Sequence, residues 1–538
     1  MGIAVAIAAI CLCLSAALAS AGQTEQPEGP TVLRATFSSF PDYMDPQLSY
    51  TQEGWTAMYD TYIPLLTYRH AEGKAGSEVI PGLAKSLPKI TDGGRTYTLF
   101  LRRGLKYSNG TPVHASDFEY AVRRLFKVNS GGAPFYTGIV GAERFWLTRR
   151  GGIGGIVTDN NTGKIVIHLA RPRGTFTQEL ALMFVAPVPP STPMHDASFH
   201  PPPATGPYVI DASREDGWTL KRNPVWESTN SKLMPQLPSG HVDRIEVDVL
   251  YNRNKQVNGV EEGRFDWMED PPPTDRLSEI ERRHRKQFRL DSTLSTYYFW
   301  MNTQKPPFDD LKVRRAVNYA VDASRLRKIY EGQVTPTHQI LPPDMPGYRR
   351  FNLYPHNLTK ARRMIRQANP RDRRITVWTD NESPNAEAGI YYAGVLRKLG
   401  FHVRLKVVSA DFYFTVIGNA STPNLDTGWS DWFEDYPHPD DFFQPLLAGS
   451  SILRRNNSNF AQIDTPSLNS KIASLAGSPL TPAREGRYAA LDRAYMKLAP
   501  WVPYGTRTLS TFVSERVDLG KVIYNPTFGA DLTSFQFK

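Results

Sequence analysis

Apolar and polar positions recur along this chain in two rhythms. In TYTLFLRR, Tyr97, Leu99 and Leu101 alternate with Thr98, Phe100 and Arg102, the period-two pattern of a strand. Asn109-Gly110 reads as a turn, because both residues tolerate positive φ. Phe118, Ala121, Val122 and Leu125 then recur at helical spacing, with Ser116 the candidate cap and Asp117 favourable at the positive end. Upstream, residues 32 to 37 predict a strand and Met44-Asp45-Pro46 a turn. Trp55, Met58, Tyr59, Ile63 and Leu66 predict one amphipathic helix. Asn160-Asn161-Thr162-Gly163 predicts a turn leading into a strand from Lys164 to Leu169. The stretch from Tyr298 to Asn302 reads as a strand, and Asp310 to Leu326 as one amphipathic helix. Proline-rich residues 187 to 203 predict a surface crossing. Strands and helices alternate without internal repeats, which predicts an α/β fold.

Composition narrows the class. At 538 residues the chain suffices for two or three domains or one large two-lobed protein. A 40% hydrophobic content and a mean hydropathy of −0.41 argue against a multi-span membrane protein. The net charge of +10 comes from 63 basic residues spread among 53 acidic ones. Basic clusters at residues 282 to 286 and 371 to 374 read as solvated faces, and no recognition motif accompanies them, so no nucleic-acid partner is predicted. The glycine run at residues 151 to 155 lacks the strand, helix start and lysine that a phosphate cradle needs.

Residues 1 to 24 carry no charge, and their apolar stretch is followed by small-x-small sequences around Ala19 and Ala21. This predicts a secretory signal over residues 1 to 21 and a polar linker over 22 to 30. No lysine or arginine lies near Met1, so the alternatives are a start further upstream or an uncleaved anchor. Cys11 and Cys13, the only cysteines, lie inside this segment, so cleavage leaves no disulfide and no thiol.

The order Leu101-Arg102, Gly104, Tyr107-Ser108, Gly110-Thr111-Pro112, Ala115, Asp117, Tyr120 and Arg123 resembles the signature of the oligopeptide/dipeptide/nickel solute-binding proteins that serve ABC importers, family 5. Pro81-Gly82-Leu83-Ala84, Thr205-Gly206-Pro207-Tyr208 and Pro307-Phe308-Asp309-Asp310 follow in the order found in that family. The resemblance implies a type II periplasmic-binding-protein-like α/β architecture, with two lobes around a cleft and an extra domain inserted in the first lobe. Lobe I would comprise residues 31–66, 180–293 and 506–538, the inserted domain 67–179, and lobe III 294–505. It further implies an exported monomer on the outer face of the cytoplasmic membrane, with a small peptide or other small solute and the permease subunits as partners, no cofactor and no catalysis.

GWSDWFEDYPHPDDFF, residues 428 to 443, concentrates aromatic and acidic residues around Pro437 and Pro439, which predicts a loop. Trp432 to Pro439 resembles the family's tryptophan-x-x-aspartate-tyrosine-proline-x-proline. The resemblance implies that Asp435 meets the ligand's α-ammonium, with Trp432, Trp429 and Tyr436 around it. Core packing is the other reading of the two tryptophans. No arginine lies between Gly428 and Phe443 to meet a ligand carboxylate, which argues against a strict dipeptide site. Other solutes in the same family, an oligosaccharide or a nickel chelate, remain alternatives. An acid/base pair drawn from Asp431, Glu434 and Asp435, or a cation on His438, Asp440 and Asp441, lacks the motif or ligand spacing it would need.

Overall fold

The computed structural model describes residues 30–538. The predicted signal, and the linker up to residue 29, lie outside the described residues. A twelve-stranded mixed sheet forms the backbone of the molecule. Numbered within it, the strands are β1 (Val32–Phe37), β2 (Tyr208–Arg214), β3 (Gly217–Arg222), β4 (Arg244–Val249), β5 (Trp267–Met268) and β6 (Phe288–Ser292). They continue as β7 (Ser295–Met301), β8 (Val334–Thr335), β9 (Arg374–Asp380), β10 (His402–Val408), β11 (Thr427–Phe433) and β12 (Trp501–Val513). The order is β10-β9-β11-β7-β12-β5-β1-β4-β3-β2, with β6 and β8 also pairing β12.

Two large hydrophobic cores lie along this sheet, with a smaller cluster of Val257, Val260, Phe265, Met268, Ile280 and Phe512 beside them. One gathers buried side chains from Leu33 to Trp267 and from Val513 to Phe535. The other runs from Leu294 to Tyr504. The chain passes between them twice, through Thr293-Leu294 between β6 and β7 and along β12, which pairs β7 with its first half and β6 with its second. Among the described residues these two neighbouring passages join the lobes, the usual setting for hinge motion.

Residues 96 to 127 fold largely as their apolar pattern dictates. Thr96–Phe100 is a strand in a separate four-stranded antiparallel sheet, and Gly110 takes φ 83° in its turn. The helix Ala115–Lys127 buries Phe118, Ala121, Val122 and Leu125. Its cap is His114, not Ser116. Asp117 explains the shift: its carboxylate accepts from the His114 backbone N–H and from the Tyr107 hydroxyl, both at 2.9 Å, and so holds the helix start two residues earlier.

Three other expectations are corrected. The helix that begins at Gln52 ends at Tyr59, and Ile63 and Leu66 belong to the following turn and strand, buried there by tertiary packing. Asp310 to Leu326 is two helices, Leu311–Ala320 and Ala323–Ile329. Val321 is extended and Asp322 caps the second helix by accepting from Ser324, so the shared apolar face hides a break. Residues 187 to 203 begin inside the molecule: Pro187 to Pro189 are buried, and the chain reaches the surface from Pro190 onward. Arg124 holds the following stretch by donating to the carbonyls of Pro193, at 2.6 Å, and His195, at 2.7 Å.

Candidate functional site

The aromatic, acidic stretch is a strand, a bend and a helix rather than a loop throughout. β11 ends at Phe433, and the helix Asp440–Leu447 starts directly after Pro439. Both prolines lie ahead of the first helical turn, where a missing N–H costs nothing. The bend between them carries Glu434, Asp435 and Tyr436. Asp441, in the first turn of that helix, fixes the bend: its Oδ2 accepts from the Asp435 N–H at 3.0 Å and from the Trp432 indole at 3.1 Å.

Asp435 faces the other lobe. Tyr50 donates its hydroxyl to Asp435 Oδ1 at 3.0 Å, and the Tyr50 ring stacks on Trp55. Two cavities meet at this point, and Phe433 and Asp435 line both. The first, about 470 Å³, is bounded by Phe414, Thr415, Asp431, Trp432, Phe460 and the rim Asn456 to Ser458. The second, about 350 Å³, lies among Tyr50, Gln52, Trp55, Glu434, Leu509 and Tyr524.

The four residues expected at the site occupy different depths. Asp435 and Trp432 line the cleft together. Trp429 shares a strand face with Asp431 and Phe433, since alternate residues of a strand point the same way. It sits deeper, buried against Tyr413 and Phe414, and donates its indole N–H to the hydroxyls of Tyr330 and Tyr504. Tyr436 is buried against Phe135 of the opposite lobe, rings edge to face at 5.9 Å. Sequence reasoning missed Tyr50, Phe414 and the Asn456 to Ser458 rim, and named Glu434 only for an acid/base pair. Tyr50 is 385 residues from Asp435, and no local pattern links such positions. Phe414 lies in the helix Ala410–Ile417, on which the sequence placed no site residue.

The cleft wall is strongly acidic. Burial raises the pKa of Asp435, although the Tyr50 hydrogen bond opposes this. Burial, with Asp435 close by, holds Asp441 well above the usual carboxylate range. Burial first, and then the Asp441 charge, hold Glu434 well above its ordinary value as well. Burial, helped by Asp380, pushes Asp431 up to about 7. An unfolded aspartate titrates near about 3.9, so the folded chain keeps the Asp431 proton longer. The stability tied to it is present at low pH and is lost as pH rises from about 4 to about 7. The thermal midpoint of the ligand-free protein is expected to fall across that window. Asp431→Asn is expected to flatten part of the slope, as read by calorimetry at about pH 5 and about pH 7.5.

Contacts across the cleft close one side of it. Besides Tyr50 with Asp435, the Gly174 N–H donates to the Ala476 carbonyl at 2.5 Å, and Lys74 pairs with Glu485 at 3.2 Å. A Cβ on Gly174 would stand 2.1 Å from the Ser478 carbonyl oxygen, so only glycine allows this approach. Gly174→Val is expected to hold the lobes apart. Small-angle scattering would show a larger radius of gyration than the wild type, with ligand affinity lowered several-fold.

The residues named in the metal alternative are engaged in shaping the bend. His438 Nδ1 accepts from the Asp440 N–H at 3.0 Å, and burial lowers its pKa to about 3, so the ring is neutral. A separate cluster among the described residues, Asp60, His70 and Asp531, has the His70 Nδ1 at 2.7 Å from Asp531 and 3.8 Å from Asp60. It is buried beneath Tyr59 and ties the C-terminal segment to the helix Gln52–Tyr59, remote from Asp435 in role.

Comparison with known proteins gives this architecture a family. Residues 78–453 match the model of bacterial extracellular solute-binding proteins, family 5. Heme-binding protein A of Haemophilus influenzae is 24% identical over 469 residues, 81% of this chain and 80% of its own length. The "Probable di/tripeptide-binding protein 5" of Pseudomonas aeruginosa is 24% identical over 491 residues, 84% of this chain and 86% of its own. Among solved structures, clavulanic acid biosynthesis oligopeptide binding protein 2 superposes with a TM-score of 0.84 at 26% identity, covering 94% of this chain and 95% of that one. With its two lobes, its two crossing strands and a family match over most of its length, the chain belongs to the bacterial extracellular solute-binding proteins of family 5.

Proposed function

We propose that this protein captures a short peptide between its lobes, outside the cytoplasmic membrane, and hands it to an ABC-type permease. The observation that carries the reading is Asp435: a carboxylate at the meeting point of two cavities, whose side chain has one partner, the Tyr50 hydroxyl from the facing lobe. An α-ammonium placed there would form a charge-assisted hydrogen bond, strengthened as closure excludes water. Family membership alone does not choose the ligand, since one relative is named for heme and another for di- and tripeptides. The cleft wall favours the peptide. Asp431, Glu434 and Asp435 line the two cavities with carboxyl groups, which can pair with an amine and offer nothing to the carboxylates of a heme. Closure would report occupancy to the permease, and the chain itself would perform no chemistry.

Native mass spectrometry of the purified protein, followed by denaturation to release any bound solute, tests this reading. The expected result is a set of short peptides that is lost in Asp435→Ala. A single sugar, a metal chelate or a heme retained by that variant would overturn it.

A further inference from the structure

The two cavities that meet at Asp435 differ in chemistry. The larger has four aromatic walls, Phe414, Trp432, Phe433 and Phe460, and a second carboxylate, Asp431. Two of these rings are unusually open for phenylalanine, Phe414 at 46% and Phe433 at 43%. Rings left in water beside a cavity gain free energy when a ligand covers them. Asp431 lies two residues before Phe433 on the same strand face, and the Tyr297 hydroxyl is hydrogen-bonded to it. Arg507 is near enough for its charge to act on Asp431, but no ion pair joins them among the described residues. The carboxylate therefore stands at an aromatic wall with unfilled acceptor capacity.

We propose that this cavity receives the side chain of the peptide's first residue and selects a cationic one, the guanidinium of arginine or the ammonium of lysine. The inference rests on the peptide reading and adds its substrate class. Asp435 lines both cavities, so an N-terminal ammonium held there leaves its own side chain beside the larger one. A guanidinium stacks on aromatic faces and forks onto a carboxylate, and both partners are present on adjoining walls. The rim from Asn456 to Ser458 adds polar groups for the remaining N–H donors. A neutral side chain would cover the rings but leave the Asp431 carboxyl without a cationic partner.

Titration calorimetry of the wild type, stripped of co-purified solute, with Arg-Ala-Ala and with citrulline-Ala-Ala tests this, since citrulline keeps the shape and loses the charge. The expected result is at least tenfold tighter binding of the arginine peptide. Asp431→Asn should bring the two peptides within threefold by weakening only the arginine peptide. Phe433→Leu, which keeps the carboxylate and removes a ring, should narrow the gap several-fold, and it decides the matter if Asp431→Asn does not fold. Equal affinities in the wild type would overturn the cationic preference, and an unchanged gap in both variants would overturn its assignment to this cavity; either leaves the peptide site standing. Binding of neither peptide by folded wild type would overturn both.

Discussion

Asp435→Ala is expected to weaken capture of a free-amine peptide by about 2–5 kcal/mol, roughly 30-fold to a few thousand-fold in Kd. The size follows from the setting. Asp435 is a largely buried carboxylate, raised in pKa by that burial, and it shares its surroundings with Asp441 and Glu434. An ammonium arriving there meets negative charge that water screens little. Truncation removes the one carboxylate that faces both cavities, and it leaves the ligand's charge desolvated against fewer partners. Fold stability should hardly change, because among the described residues the Asp435 side chain bonds only to Tyr50. The decisive comparison pairs the variant with an N-acetylated peptide. Acetylation should cost the wild type about as much as the mutation does and should cost Asp435→Ala little more. Additive losses would mean that the amine sits elsewhere.

The second large effect is on folding. Arg124→Ala is expected to destabilise the protein by about 3–5 kcal/mol, because it strands a buried carboxylate. Arg124 and Asp45 are both fully buried, with Arg124 Nη2 at 2.5 Å and Nη1 at 2.6 Å from the two Asp45 oxygens. The guanidinium also donates to Gln47 and to the carbonyls of Pro193 and His195, while Asp45 Oδ2 accepts from the Ala197 N–H. One ion pair thereby joins the Met44-Asp45-Pro46 turn, the helix Ala115–Lys127 and the proline-rich crossing. That turn leads into the segment carrying Tyr50, so its loosening should also raise ligand Kd. Urea unfolding would give the stability change. The double variant Asp45→Ala/Arg124→Ala should lose less than the sum of the single losses, since no lone charge is then left inside. Full additivity would show that the pair contributes nothing as a pair.

Local pattern determined much of this molecule. The strand at Thr96–Phe100, its turn at Gly110 and the apolar face of the helix Ala115–Lys127 follow from residue spacing alone, because φ preference and one-sided burial act over a few residues. The ordered motifs from Asp45 to Asp435 carried the family resemblance, which the family match over residues 78–453 supports. Element ends escaped it. Asp117 and Asp322 moved helix boundaries through single side-chain hydrogen bonds that hydrophobic periodicity does not register. The prolines of the acidic stretch marked a helix start where they had read as a ban on helix. The cleft itself came only from tertiary structure. Tyr50 meets Asp435, and Phe414 and Asn456 come beside Asp431, because two lobes and several strand ends converge there. The depth of Trp429 against that of Trp432 was settled the same way, by which neighbours cover each ring. Contacts between distant segments depend on the packing of the whole chain, so a site assembled from them leaves no periodic trace in any one stretch of sequence.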